Sequence, residues 1–299
     1  MNQLIMTSLE QGLIFSVLAM GVVLTYKILD MADLSVEGTF PLGAFVFARF
    51  VMGGTDPFLS TLMAFLFGAA AGLVTALLFV KLKIRPLLSG ILTMTMLYSF
   101  NLRLNGKANI PLFNSATIYP EGNKLLILFG AIVLVKLALD WFLKTETGYL
   151  LIATGDNESL VRSLGENSNK YKIIGFMLSN GLVAASGAMM AQYQGFADIT
   201  MGSSIIVVAL ASIIIGETVG KNSRRISLTL RAIIGAMAYK LMGGVAIDMG
   251  LSPTDLKAIS AIIVIVFISY NNFSSPVLKS LKKQGGKTVA GNKKPLEEF

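Results

Sequence analysis

Phe58-Leu-Ser-Thr-Leu-Met-Ala-Phe-Leu-Phe-Gly-Ala-Ala-Ala-Gly-Leu-Val-Thr-Ala-Leu-Leu-Phe-Val80 runs for 23 residues without a charge, between Asp56-Pro57 and Lys81. At about 1.5 Å per residue, a helix of that length covers roughly 30 Å, the thickness of bilayer hydrocarbon. A spanning strand needs only about 10 residues, so the run is helical in length. Comparable stretches at 4–28, 36–52, 86–104, 124–143, 171–193, 203–219, 227–246 and 255–270 bring the candidate spans to nine. Apolar residues make up 54% of the 299, charged residues 14%, and mean hydropathy is +0.70. Soluble domains carry roughly 25% charge, so a water-soluble enzyme with one buried core is excluded. The expected fold is an all-α polytopic membrane protein of about nine transmembrane helices. Its membrane domain covers 1–274, and a basic, Lys/Gly-rich disordered tail covers 275–299.

The chain contains no Cys and no His. Disulfides, thiolate nucleophiles, His bases and Cys/His metal sites are therefore absent, and no catalytic or metal-binding residue is assigned. The net charge of +8, which in a soluble protein would suggest nucleic acid, here follows topology. One set of connecting segments plus the tail holds 16 basic residues, and the alternate set holds only Lys107 and Lys124. By the positive-inside rule the rich set is cytoplasmic, which places the C-terminus inside and, by parity, the N-terminus outside a multi-pass cell-membrane protein. The first apolar stretch lacks a basic leader and a small-residue cleavage site, so it reads as a retained span.

Asp33-Leu-Ser-Val-Glu-Gly-Thr39 after the first span is echoed by Asp198-Ile-Thr-Met-Gly-Ser-Ser204 after the sixth. With the two copies on opposite sides, the pattern is that of an inverted repeat with broken helices, and Gly38 and Pro41 suggest a break inside the second span. Asp30, Asp33 and Glu37 lie there, where carboxylates are costly. Either they line a permeation path, or the two Asp residues are interfacial caps. In the fourth span Thr95, Ser99 and Arg103 recur every four residues, flanked by Tyr98 and Asn101. Such hydroxyls either bond a solute or return to their own carbonyls. The candidate path lining is therefore Ser35, Glu37, Thr39, Thr95, Tyr98, Ser99 and Asn101. Mixed with Met94, Met96 and Phe100, it suits a small polar or zwitterionic solute with one apolar end.

Lys136 and Asp140, four apart in the fifth span, have the spacing of an intrahelical ion pair. Gly68-Ala-Ala-Ala-Gly72 is a small-residue packing face. Gly216-Glu-Thr-Val-Gly-Lys-Asn222 is no Walker loop, being one residue short with no hydroxyl after Lys221. In the segment 145–172, Asp156 or Asn157 can cap a short helix that has Glu158 in its first turn and Gly165 at its end. Leu160, Val161 and Leu164 would give it an apolar patch, fit for a groove in a partner or for the lipid surface.

These residues resemble the permease subunits of ABC importers of the branched-chain amino acid and ribose type. Asp33-Leu-Ser-Val36 resembles a signature of the family's second span, and Gly148 to Gly165 is similar to its coupling-helix loop. Ser179-Asn-Gly-Leu-Val-Ala-Ala-Ser-Gly187 and 209–216 look like the next two spans. Glu37 stands where Gly is common, and Val161 where a small residue is common. Asp33-Leu-Ser-Val-Glu-Gly-Thr-Phe-Pro-Leu-Gly43 with Gly106-Lys-Ala-Asn-Ile-Pro111 looks most like the branch for aromatic amino acids, tryptophan or tyrosine. The resemblance implies a homodimer of this subunit, two cytoplasmic ATPase subunits that bind the ATP, and an extracellular substrate-binding lipoprotein. No cofactor is implied in this chain. Segment 145–172 becomes the coupling segment, with Gly155, Asp156, Asn157, Leu160, Val161, Arg162, Leu164 and Gly165 as ATPase-coupling residues. Read without the resemblance, the same chain suits an ion-coupled secondary transporter or, less well, an intramembrane carboxylate enzyme.

Overall fold

In the computed structural model of the chain, the described residues are 2–119, 124–220 and 226–251, with separate positions between 255 and 269. Helix α1 (Asn2–Val23) is prolonged by a π turn (Leu24–Ile28). There follow α2 (Val36–Met52), α3 (Pro57–Val80), α4 (Pro86–Asn105), strand β1 (Asn109–Pro111) and α5 (Lys124–Leu143). Next come α6 (Glu146–Asp156), α7 (Glu158–Ser163) and α8 (Ser168–Gln194). Strand β2 (Phe196–Asp198), a 3-10 turn (Ile199–Gly202), α9 (Ile205–Gly220) and α10 (Leu228–Asp248) complete the order.

Boundary chemistry explains the cuts. Asp56 accepts from the Phe58 and Leu59 amides with Pro57 in the first turn, so α3 starts there. Helices α4 and α8 end where Gly106 (φ +70°) and Gly195 (φ +76°) enter the left-handed region.

Helix α8 is the axis of the bundle, and α1, α2 and α3 lie against it. Small residues let the backbones meet. A Cβ at Gly43 would overlap the Ala184 carbonyl, one at Gly187 the Phe40 carbonyl, and one at Gly72 the Phe176 carbonyl. The face 68–72 is thus a packing face, turned onto α8. Helix α5 lies at the periphery, presenting Leu126, Phe129, Leu134, Leu137 and Trp141 outward, as lipid-facing residues would be. The expected pair is formed there, with Lys136 Nζ 2.5 Å from Asp140 Oδ2.

Among the described residues, eight long helices coincide with eight of the nine expected spans within a few residues, and six of them meet a length and hydropathy criterion for crossing a membrane. Of the ninth span only separate positions are described, and the tail lies wholly outside the described residues. Two features differ from expectation. Residues 109–111 and 196–198 form an antiparallel ribbon, with Ile110 opposite Ala197. The break lies between α1 and α2, because Pro41 sits inside an unbroken α2. A proline removes the amide that would bond the carbonyl four residues back, here that of Glu37. Gly202 of the 3-10 turn packs on that carbonyl, with no room for a side chain.

Candidate functional site

Where α1 gives way to α2, the chain is tied to the middle of α8 by side chains. Asp33 is 2% exposed. Its Oδ1 accepts from the Ser35 amide (2.9 Å) and hydroxyl (2.6 Å), and its Oδ2 accepts from Asn180 Nδ2 (2.8 Å). The Asn180 Oδ1 accepts from the Thr39 hydroxyl (2.8 Å) and lies 3.1 Å from the Ser35 hydroxyl. Every member of the cluster is buried, so the mutual bonds replace the water each group has lost.

The echo at Asp198 repeats this chemistry. Asp198 Oδ1 accepts from the Thr200 amide and hydroxyl, two residues on as in the first copy, and its Oδ2 accepts from an Asn amide, Asn109 Nδ2, at 2.8 Å. Two Asp-x-Ser/Thr turns, each held by a distant Asn, thus stand before α2 and before the 3-10 turn that precedes α9. Through Gly202 and the Glu37 carbonyl, the second turn also packs against the helix that the first begins.

The expected lining residues separate into three environments. Ser35 and Thr39 belong to the closed clasp. Glu37 is half-buried on another side of the same turn. In α4, Asn101 is fully buried and donates to the Gly38 carbonyl (3.2 Å), whereas Thr95, Tyr98 and Ser99 face outward. Thr95 bonds its own helix, donating to Ile91 O at 2.9 Å. At 100° per residue Asn101 cannot share a face with Ser99. It continues instead the inward row Ser89, Thr93, Leu97, Asn101, a four-residue repeat in which the Thr93 hydroxyl accepts from Thr75 (3.0 Å).

The segment 145–172 holds two short helices. Thr145 caps α6, and Asn157 caps α7 by accepting from the Leu160 amide (3.1 Å); Asp156 is the last residue of α6 and caps nothing. Gly165 turns the chain at φ +83°. The expected apolar patch is divided. Val161 is wholly buried, while Leu160 and Leu164 are 50% and 66% exposed. Glu158 staples α7 to α8: its Oε1 accepts from Arg162 Nη2 (2.5 Å) and the Ser168 hydroxyl (2.9 Å), and its Oε2 lies 2.8 Å from Lys172 Nζ. The Lys172 ammonium, bonded to its carboxylate, leads in pulling the Glu158 carboxyl down to about 2, with the Ser168 and Arg162 bonds adding to it against some desolvation. Arg162 is thus spent within the segment, and Gly155 faces inward against α1. Leu160 and Leu164 are left as the outward apolar pair.

Sequence reasoning missed Asn180 as the centre of the clasp. Its signal was available: an amide in the middle of the long apolar run 173–191.

The family of the branched-chain amino acid transport system permease component matches residues 4–278. A tyrosine transport system permease protein of Clostridioides difficile is 44% identical over 286 residues, covering 95% of this chain and 96% of that protein. The ribose import permease protein RbsC of Haemophilus influenzae is 25% identical over 282 residues, covering 90% and 85% of the two chains. PsaBC from Streptococcus pneumoniae, solved in complex with Fab, shares the fold with a TM-score of 0.53 at 14% identity, over 94% of each chain. The named relatives are transport permeases and not enzymes. With the match running from the first helix past the last described one, and polytopic helices to carry it, the chain belongs to the branched-chain amino acid transport system permease family, the membrane component of ABC import systems.

Proposed function

We propose that the chain is the permease of an ATP-driven amino acid importer, taking an aromatic amino acid such as tyrosine from an extracellular binding lipoprotein. Two copies enclose the path, and two cytoplasmic ATPase subunits drive it. The observation that carries this reading is α7, a capped helix stapled to α8 that offers Leu160 and Leu164 to solvent. Two exposed leucines beside Ser159 and Ser163 suit a groove on a soluble partner. The basic-residue asymmetry supports a cytoplasmic position for that face and for the C-terminus. The high identity to a tyrosine transport permease supports the substrate class. On α4 the outward Tyr98 and Ser99, beside a Thr95 already bonded to its own helix, present polar groups on an outer face. They favour the same face of a second copy, with the path between, in contrast to the apolar outer face of α5.

The test is Leu160→Asp and Leu164→Asp, beside Val161→Asp. Both leucine variants are expected to insert and melt within about 2 °C of the parent, yet retain less than a tenth of the co-purifying ATPase, because surface changes cost little stability and a charge spoils an apolar groove. Val161→Asp is expected to unfold the segment. Undiminished ATPase in both leucine variants rejects the docking role.

A further inference from the structure

The C-terminal end of α6 rests on the end of α1 with no side chain between the two backbones. Gly155 is the contact: a Cβ there would overlap the Ile28 carbonyl oxygen and stand 3.0 Å from Leu29 Cα. One turn back, Leu151 and Leu29 share the notch at Gly175 of α8, with Cδ1 atoms 3.0 and 2.6 Å from where that glycine's Cβ would be. Ile28, Leu29 and Leu151 are all buried, so α6, α1 and α8 meet in one dry joint.

The chain beyond the joint is unusual. Ile28 ends the π turn, with the Leu29 amide reaching back to Leu24 O (3.1 Å) and the Met31 amide to Thr25 O (2.9 Å). Asp30 then takes φ +53°, a conformation few non-glycine residues adopt, and turns the chain back toward Asp33. Wide turns and left-handed residues persist where their surroundings over-determine them. Here both ends of the stretch are held, one by Gly155 and one by Asn180. Packed interiors transmit displacement, and a backbone-on-backbone contact has no rotamers to absorb it.

We propose that Gly155 is a positioning residue for coupling. It makes α6 a rigid strut on the α1 end, so that displacement at α7 reaches the Asp33–Asn180 clasp through residues 28–33. This rests on the reading of α7 as the ATPase dock, and it gives Gly155 a contact with α1 where the resemblance gave it one with the ATPase.

The importer, co-purified with its ATPase and binding lipoprotein and reconstituted in proteoliposomes with radiolabelled tyrosine, tests it. In Gly155→Ala the ATPase is expected to stay bound, while tyrosine moved per ATP hydrolysed falls at least fivefold. Loss of folded protein alone lowers both rates equally and leaves that ratio unmoved. A folded Gly155→Ala with the parent ratio overturns the proposal. A second arm stands if that variant does not fold. Asp30 and Asp156 line one cavity of about 380 Å³ beside the joint, and the chain has no cysteine of its own. Asp30→Cys/Asp156→Cys is bridged by a short bis-maleimide and compared with the same variant left unbridged. A rigid strut predicts transport within twofold; a block on bridging shows that the joint must move, which overturns it. Retention of the ATPase by Leu160→Asp together with the ratio loss in Gly155→Ala would reject the dock while leaving the strut.

Discussion

Asn180 ties the start of α2 to the middle of α8. It donates to Asp33 and accepts from Thr39, linking positions 147 and 141 residues away in sequence. Asn180→Ala would leave a carboxylate oxygen without its donor and the Thr39 hydroxyl without its side-chain acceptor, all buried. A group stranded in that way costs roughly 1–3 kcal/mol. The expected result is a melting temperature in detergent lowered by several degrees. Ser179→Ala serves as the comparison and is expected to change little, because its contact with Thr25 is long at 3.4 Å. Equal melting of the two variants would show that the clasp does not hold the fold. Asp33 and Ser35 were legible as candidates because carboxylates and hydroxyls are conspicuous in apolar sequence. Asn180 was conspicuous too, but its pairing with them was not legible, since no local spacing relates residues so far apart.

Helix α7 shows what a short element reveals and hides. Asn157, Glu158 and Gly165 mark its ends, because cap chemistry is local. Which apolar residue turns inward is not local, as six residues make under two turns and define no face. The docked arrangement depends on Glu158, whose folded pKa lies near 2 against an ordinary value of 4.5. A carboxyl with a lowered folded pKa adds stability that is complete above the ordinary value and is lost as pH falls toward the folded one. Hydrogen exchange of residues 158–168 is therefore expected to be slow above about pH 5 and to quicken, after correction for intrinsic rates, between about pH 4.5 and pH 2. Glu158→Gln should exchange faster at neutral pH and lose that dependence. A protected segment at pH 2.5 in the parent protein would count against the staple. The α4 stripe shows the complementary limit. Thr95 and Ser99 do share a face, but helical spacing does not say which face the neighbours cover.

For the whole molecule the open question is orientation, and the missing cysteines make it answerable. Single cysteines at Asn114 and Ser163, both exposed, and at Asn292 in the tail can be labelled with an impermeant maleimide on intact cells. Only Asn114→Cys is expected to react before permeabilisation. Labelling at Ser163→Cys on intact cells would place α7 outside and remove it from reach of any cytoplasmic ATPase.

The sequence by itself determined the helices, their near-boundaries and the membrane class, because hydrophobic length, proline and glycine signals and caps act within a few residues of where they are written. It also marked both Asp turns of the internal echo, whose bonds run from each Asp to the residue two positions on. Only the tertiary structure decided what those turns are tied to, where the chain breaks, and which apolar residues are left over for a partner. Pro41 looked like the break. Yet α2 runs through it, and the Glu37 carbonyl four residues before it is packed by a glycine 165 residues further on. Such outcomes depend on close approach between backbones far apart in the chain, and that information resides in the packing of the helices together.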